Sequence, residues 1–281
     1  MPGRLRTCFL LALALVSTGA ARADQIVLKI EGAPADGLAV APLDLTAAAR
    51  WCGIPATAPA GITAVDADGR AVPMQFVPDA DFDANERISG TAVLRLPPGS
   101  DGSVRLVFGA EARKEAEGAT VVSTPFYQVA HTPEKQGGLP SKITFPKTGK
   151  VFESLRWYDR AYHRERGAFR LADDPEPDIA TISAGPLCTV VRVSGRFMRG
   201  AGQPDSRPDA VYQWFYFHDS PLVFVTARQR QQQPFAWNEW HFLELNYPDE
   251  AFSRFAGARP EATGELSGSK KSTSFADWGA L

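Results

Sequence analysis

The chain has 281 residues, 30 Lys and Arg against 32 Asp and Glu, a formal charge of −2 and three cysteines. A nearly neutral chain without a lysine or arginine block offers no electrostatic footprint for nucleic acid, so no nucleic-acid partner is expected. Its 24 glycines and 22 prolines punctuate short apolar runs, which is the pattern of an all-β protein of one or two domains.

MPGRLRTCFLLALALVSTGAARA reads as a secretory signal peptide over residues 1–23. Arg4 and Arg6 give a positive start, residues 8–16 an apolar run, and Ala21-Arg22-Ala23 the small-x-small cleavage pattern. The run is shorter than the roughly 20 residues a spanning helix needs. Cys8 precedes most of it, where a lipoprotein cysteine would follow. The expectation is cleavage after Ala23 and a secreted or periplasmic chain with no membrane span. Cleavage removes three arginines and no acid, which leaves a mildly acidic protein.

Residues 24–110 read as an N-terminal β-domain, sandwich or barrel-like. QIVLKI alternates as a strand should, and residues 38–45 continue the sheet. Thr46 is placed as the N-cap of a short helix, AAARWC, which Gly53 stops. In GITAVDADGRAVPMQF two β-prone runs flank Asp66-Ala67-Asp68-Gly69, a hairpin turn in which glycine takes positive φ at little cost. TAVLRLPPGSDGSVRLVFG repeats the logic. Both aspartate-rich loops carry oxygen donors, but calcium wants roughly six to eight and neither loop supplies them. They read as turns.

EARKEAEG, residues 111–118, is charged and apolar-poor, a linker. Residues 119–281 then form a larger antiparallel β-sandwich, with strands expected at 121–129, 142–145, 150–158, 188–197, 211–218, 222–230 and 237–247. His218-Asp219-Ser220-Pro221 turns a long hairpin. Period two puts Tyr212, Trp214, Tyr216 and His218 on one face of its first arm and Gln213, Phe215 and Phe217 on the other. Such an aromatic face suits a sandwich core or a saccharide platform. PDEAFSRFAG reads as a short helix from Asp249 to Gly257. The end, SFADWGAL, looks like mid-strand sequence: either a firmly docked last strand or the front of a longer protein, incomplete at its C-terminus. Cys52 and Cys188 lie far apart, and two buried thiols are expected, although an exported protein would permit a disulfide. Neither has a CxxC partner.

Two stretches could carry chemistry. In WNEWHFLEL, residues 237–245, strand periodicity puts Trp237, Glu239, His241 and Leu243 on one face and Asn238, Trp240, Phe242 and Glu244 on the other. A carboxylate beside an imidazole orients it as a general base; the same pair would equally serve as a satisfied polar face. In RWYDRAYHRERGAF, residues 156–169, arginines could hold a carboxylate bidentately while Tyr or His moves a proton. That is the chemistry of β-elimination from an acidic sugar, in which a cation steadies the uronate; a solvated charged loop is the alternative. The candidate catalytic residues are therefore His241, Glu239, Tyr162, His163 and Arg160. The candidate substrate-binding residues are Trp237, Asn238, Trp214, Tyr158 and Arg164. The four histidines are scattered without HxH or HExxH spacing, and neither a G-x-S-x-G elbow nor a phosphate loop occurs, so no metal and no cofactor are expected.

ITAVDADGRAVPMQF resembles a "dG-x-x-vP-x-Q" hairpin common in the N-terminal β-domains of secreted bacterial glycan-degrading proteins. QGGLPSKITFPKTGKVFES, followed by GPLCTVVRVSGRF, resembles the opening of galactose-mutarotase-like supersandwich domains, including those of polysaccharide lyases. The resemblance covers most of residues 60–245 through short motifs. It implies a large β-sandwich and association with carbohydrate, and carries over no catalytic residue. The expected function is that of an exported carbohydrate-active protein that acts on or binds a polysaccharide or oligosaccharide, with β-elimination of acidic glycans as its reaction. The alternative is a non-catalytic glycan-binding or structural envelope module.

Overall fold

The computed structural model describes residues 10–14, 26–31, 36–53, 61–80, 87–109, 116–153, 155–247, 252–257, 263–265 and 279–280. Its sheets are antiparallel, and two sandwiches follow one another along the chain. In the first, a five-stranded sheet runs in the order Leu10–Ala14, Ile26–Glu31, Ser103–Gly109, Gly61–Val65, Ala71–Val72. It faces a three-stranded sheet of Leu38–Asp44, Ser89–Arg95 and Met74–Pro78. Neither sheet closes on itself among the described residues, so the unit is a sandwich and not a barrel. Alternation fills it: Ile26, Leu28 and Ile30 point inward from one strand and meet Leu43, Leu94 and Leu106. The helix Thr46–Trp51 buries Ala48 and Ala49, and Gly53 ends it at φ +72°. Thr46 does not cap it; its hydroxyl takes the Ile88 N–H at 3.0 Å, while Asp44 Oδ1 accepts the Thr46 N–H at 2.9 Å.

The second sandwich is built on a five-stranded sheet ordered Val223–Gln231, Pro208–Phe217, Cys188–Arg196, Asp178–Ala184, Ala116–Glu117. One face packs under the sheet of Thr120–Ser123, Gln128–His131, Pro140–Phe145 and Lys150–Phe152, and under a smaller sheet in which Arg160–His163 lies between Gly167–Arg170 and Glu239–His241. Val191, Val193, Tyr212, Trp214 and Tyr216 fill that core together with Leu139, Trp157 and Leu171. The opposite face presents Cys188, Val190, Phe215 and Phe217 to Leu38, Val77 and Val93 of the first sandwich. Both faces of Pro208–Phe217 are therefore covered, which is why this strand is apolar almost throughout. Gln75 fastens the two units: its amide donates to Ser183 Oγ at 2.7 Å and to the Cys188 carbonyl at 2.9 Å, and accepts the Cys188 N–H at 3.2 Å. Arg228 pairs with Asp79 at 2.5 Å across the same seam.

Several expected elements are divided or replaced. Residues 121–129 break into two strands because the Thr124 hydroxyl accepts the N–H groups of Phe126 and Tyr127, both at 3.2 Å, and turns the chain. Residues 150–158 give Lys150–Phe152 and Arg156–Trp157 in different sheets. The helix expected at 248–257 is not formed where it is described: Arg254–Gly257 is a strand paired with Thr263–Glu265 and Gly279–Ala280. Asp249, Trp278 and Leu281 lie outside the described residues, as do the expected cleavage site and residues 111–115 of the linker. Ala116–Glu117 pairs with residues 180–181 of the large sheet. Cys52 and Cys188 form no disulfide and are buried in separate cores.

The Gln136-Gly137-Gly138 turn prepares the ground for the site. All three residues have positive φ (55°, 59° and 77°). A Cβ at Gly137 would sit 2.1 Å from the Leu171 carbonyl oxygen, so only glycine allows that approach. Gln136 Oε1 then accepts the Trp157 N–H at 3.0 Å, fixing the strand that leads into residues 158–163.

Candidate functional site

Arg160 pairs in register with His241, and Tyr162 with Glu239. Residues opposite one another in an antiparallel pair share a face, so these four side chains emerge together. The alternate position, Trp240, lies opposite Ala161 and turns into the core, its ring edge-on to Phe197 at 5.5 Å. Arg160 reaches Glu239 at 3.2 Å and Glu244 at 3.1 Å. His241 stands between the two carboxylates, with Nε2 3.2 Å from Glu239 and Nδ1 2.5 Å from Glu244. Arg160 Nη2 is also 3.3 Å from His241 Nε2. One arginine and one histidine thus bind two glutamates in a closed set at the surface. Exposed ion pairs contribute about 0–1 kcal/mol each, so this set shapes the surface more than it holds the fold.

Glu244 belongs to this set although strand periodicity assigns it to the other face. The expected strand 237–247 survives only as Glu239–His241 and Leu245–Asn246, in different sheets. Between them Leu243 takes φ +52°, which rotates Glu244 back toward His241. Asp159 imposes that turn. Fully buried, it accepts the N–H of Leu243 at 3.1 Å and of Glu244 at 3.0 Å, and the hydroxyl of Tyr212. Burial raises the Asp159 pKa, opposed by these three hydrogen bonds. Burial also pushes up Tyr212, reinforced by the Asp159 charge, and Gln229 donates to the Tyr212 oxygen at 3.2 Å. A buried chain therefore runs from Gln229 through Tyr212 and Asp159 to the turn.

Gln229 also opens onto a surface groove of about 540 Å³ whose other polar walls are Gln231, Asn238 and Glu239. Its apolar walls are Phe235, Trp237 and Trp240. The Phe235 and Trp237 rings lie 4.7 Å apart, tilted by 57°. Gln231 holds both: its Oε1 accepts the Trp237 indole N–H at 2.7 Å and its Nε2 donates to the Phe235 carbonyl at 3.0 Å. Trp237 backs onto Phe169 and Trp240. Glu239 is common to groove and ion cluster, which makes them one surface.

The remaining expected residues fall around it. Asn238 donates its N–H to the Tyr162 carbonyl and accepts the Arg164 N–H on Oδ1 at 2.7 Å, so its side chain tethers the 164–166 turn. His163 lies edge-on to Phe235 at 5.2 Å, and its Nδ1 accepts the Glu165 N–H at 3.3 Å. Arg164 is exposed beside Asn238. Tyr158 is half-buried under Arg170, 5.6 Å from its ring, and its N–H donates to the Glu244 carbonyl. Trp214 is not at the surface: it is 5% exposed, packed on Trp157 and His131 in the core, and presents no face to a ligand. Asp159, Phe235, Gln229 and Gln231 were not expected from sequence. An aspartate inside an arginine-rich run gives no sign that it is buried, and the glutamine run reads as plain edge-strand polarity.

His131 is also internal. Its Nδ1 contacts the Gly138 carbonyl at 2.9 Å and its Nε2 the Tyr216 hydroxyl at 2.7 Å, and burial lowers its pKa to about 4. The neutral ring donates from Nδ1 and accepts from Tyr216. Among the described residues no group of three or more His, Cys, Asp or Glu is arranged to hold a metal ion, and no helix is long and apolar enough to cross a membrane. Comparison with protein-family models, with curated proteins and with solved structures finds no match to the chain.

Proposed function

We propose that this is an exported glycan-binding protein whose ligand lies in the Phe235–Trp237 groove. One observation carries the reading: two adjoining aromatic rings share a groove with three amide side chains and a carboxylate. Sugar rings offer apolar C–H faces to aromatic groups and hydroxyls to amides, which both donate and accept. The leader-like first 23 residues support export, and the resemblance of residues 60–245 to carbohydrate-associated sandwiches supports the ligand class. Affinity electrophoresis and calorimetry against cellulose-, chitin-, xylan- and pectin-derived glycans test it. The expected result is saturable binding to at least one that Trp237→Ala weakens at least tenfold; no retardation on any of them sinks the reading.

β-Elimination of an acidic glycan is a second reading, supported by the shared face of Arg160, Tyr162 and His241. Two glutamates already neutralise Arg160, and carboxylates engage both nitrogens of His241. The cluster is therefore better built to hold its own geometry than to receive a uronate. Following absorbance of the unsaturated product on pectate and alginate decides it: a Tyr162-dependent rise restores the lyase reading.

A further inference from the structure

The Phe235–Trp237 groove has a neighbour. A second surface hollow, about 660 Å³, is lined by Gln203, Pro204, Asp205, Arg207, Gln232 and Gln233. The two are contiguous in the chain, because Gln231 walls the first and Gln232 the second. They are also joined through space. Arg166 lays its guanidinium 5.2 Å from the centre of the Phe235 ring and pairs at 3.0 Å with Asp205, so one side chain spans from the wall of the first hollow to the wall of the second.

The link between them is held in place. The Ser206 carbonyl accepts the N–H groups of both Gln232 (2.9 Å) and Gln233 (3.2 Å), which fastens the end of the edge strand to the 203–207 loop. Gln203 Nε2 donates to the Pro208 carbonyl at 3.1 Å and Gln232 Nε2 to Asp209 at 3.1 Å. Each of these two amides thereby has its nitrogen anchored beside the hollow. Chemically the hollows differ. The first pairs rings with amides; the second has no ring and is walled by three amides, one acid and one arginine.

We propose that the two hollows are successive subsites of one track that takes a linear oligosaccharide: a stacking subsite at Phe235–Trp237 and a hydroxyl-reading subsite at Gln203, Gln232 and Gln233. This rests on the glycan-binding reading above and specifies its ligand as a chain rather than a single sugar or a disaccharide. A ring stacked in the first hollow supplies apolar contact and orientation. Further rings laid over Arg166 reach the second hollow, where amide oxygens and the Arg207 guanidinium meet vicinal hydroxyls.

The experiment measures binding of the two-ring and six-ring oligomers of the cello-, chito-, xylo- and oligogalacturonide series to the full chain by calorimetry. For the series that binds, the hexamer is expected to bind at least tenfold more tightly than the dimer. Replacing both exposed amides, Gln232→Ala with Gln233→Ala, is expected to bring that ratio close to one. Arg166→Ala is expected to lower it as well, by opening the bridge between the hollows; circular dichroism and a urea midpoint confirm that the variants remain folded. Equal affinity for dimer and hexamer in the unaltered protein overturns the track and leaves the glycan-binding reading standing, as does a ratio that survives both variants. Failure of every oligomer to bind sinks the glycan-binding reading itself.

Discussion

Asp159 holds Leu243 in the left-handed region of backbone space from 84 positions away in sequence, by accepting its N–H and the next one. A leucine reaches that conformation only where its surroundings impose it. The same carboxylate takes the Tyr212 hydroxyl, so one buried side chain sets a turn, orients Glu244 and ties the surface cluster to the large sheet.

Asp159→Ala is therefore expected to be strongly destabilising. It leaves two backbone donors and a phenol without their acceptor in the core, and such losses cost about 1–3 kcal/mol per group, partly relieved by relaxation. A fall of about 3–5 kcal/mol in urea unfolding is the expected outcome. Tyr212→Phe, which spares both backbone bonds, should cost about 1–2 kcal/mol. If Asp159→Ala costs less than Tyr212→Phe, the turn does not depend on the carboxylate.

Stability should fall on mild acidification, and His131 should account for much of the fall. The folded ring titrates near 4, while an unfolded one titrates near 6.5. Between those values only the unfolded chain takes the proton, so stability is complete above about 6.5 and declines as the pH drops toward 4, by about 3 kcal/mol in all. Asp159, whose folded pKa is raised, acts in the opposite sense and adds stability as the pH falls through that value. Chemical denaturation of His131→Gln between pH 4.5 and 7.5 checks this: the variant should show a flatter slope than the parent. Parallel profiles would remove His131 from the explanation.

Gln75 should behave as a seam residue. It satisfies both backbone groups of Cys188 and the hydroxyl of Ser183 across the junction of the two sandwiches. Gln75→Leu is expected to cost about 1–3 kcal/mol by removing these bonds, although the Cys188 carbonyl keeps the Gly185 N–H at 3.2 Å. It should also speed the reaction of the Cys188 thiol with an aromatic disulfide reagent under native conditions. In the parent, Cys52 and Cys188, both buried, should react only after unfolding. A Gln75→Leu protein with unchanged midpoint and unchanged thiol protection would show that the seam is held by its apolar contacts alone.

Arg160→Ala should separate architecture from binding. Arg160 is partly exposed and its pairs lie at the surface, so the stability change should stay under about 1 kcal/mol. Glu239, however, loses the cation that orients it at the mouth of the groove, and glycan affinity should fall about three- to tenfold. Calorimetry on the variant beside urea unfolding reads both; a loss of stability with full affinity would reverse the assignment.

What could be read from sequence was whatever short-range chemistry decides. The Asp66–Gly69 hairpin is there, with Asp66 Oδ1 taking the Arg70 N–H at 2.8 Å and Gly69 at φ +81°. So is the long aromatic hairpin, whose alternating faces fill two different cores. The pairing of Glu239 with His241 follows from period two, and Arg160 was among the expected residues, though its register against His241 was not. The failures share a cause. Residues 237–247 look like one strand because nothing local reports Asp159, and residues 254–257 look helical because their strand partners lie at 263–265 and 279–280. Of the two roles that the aromatic face of Trp214 suits, sandwich core or saccharide platform, the structure shows the core, and alternation alone could not choose because a sheet covered on both faces still alternates.

That double covering changes what the boundary near residue 118 means. The large sheet borrows one of its walls from the sheet of Leu38–Asp44, Met74–Pro78 and Ser89–Arg95, so Val190, Phe215 and Phe217 have no solvent side of their own. Cutting the chain at the boundary would strip a contiguous oily plane bare, as splitting a semi-detached house leaves an interior wall to the weather. The two units are neighbours in sequence and a single tenancy in energy: they should melt together, and neither should travel through evolution or the laboratory without the other.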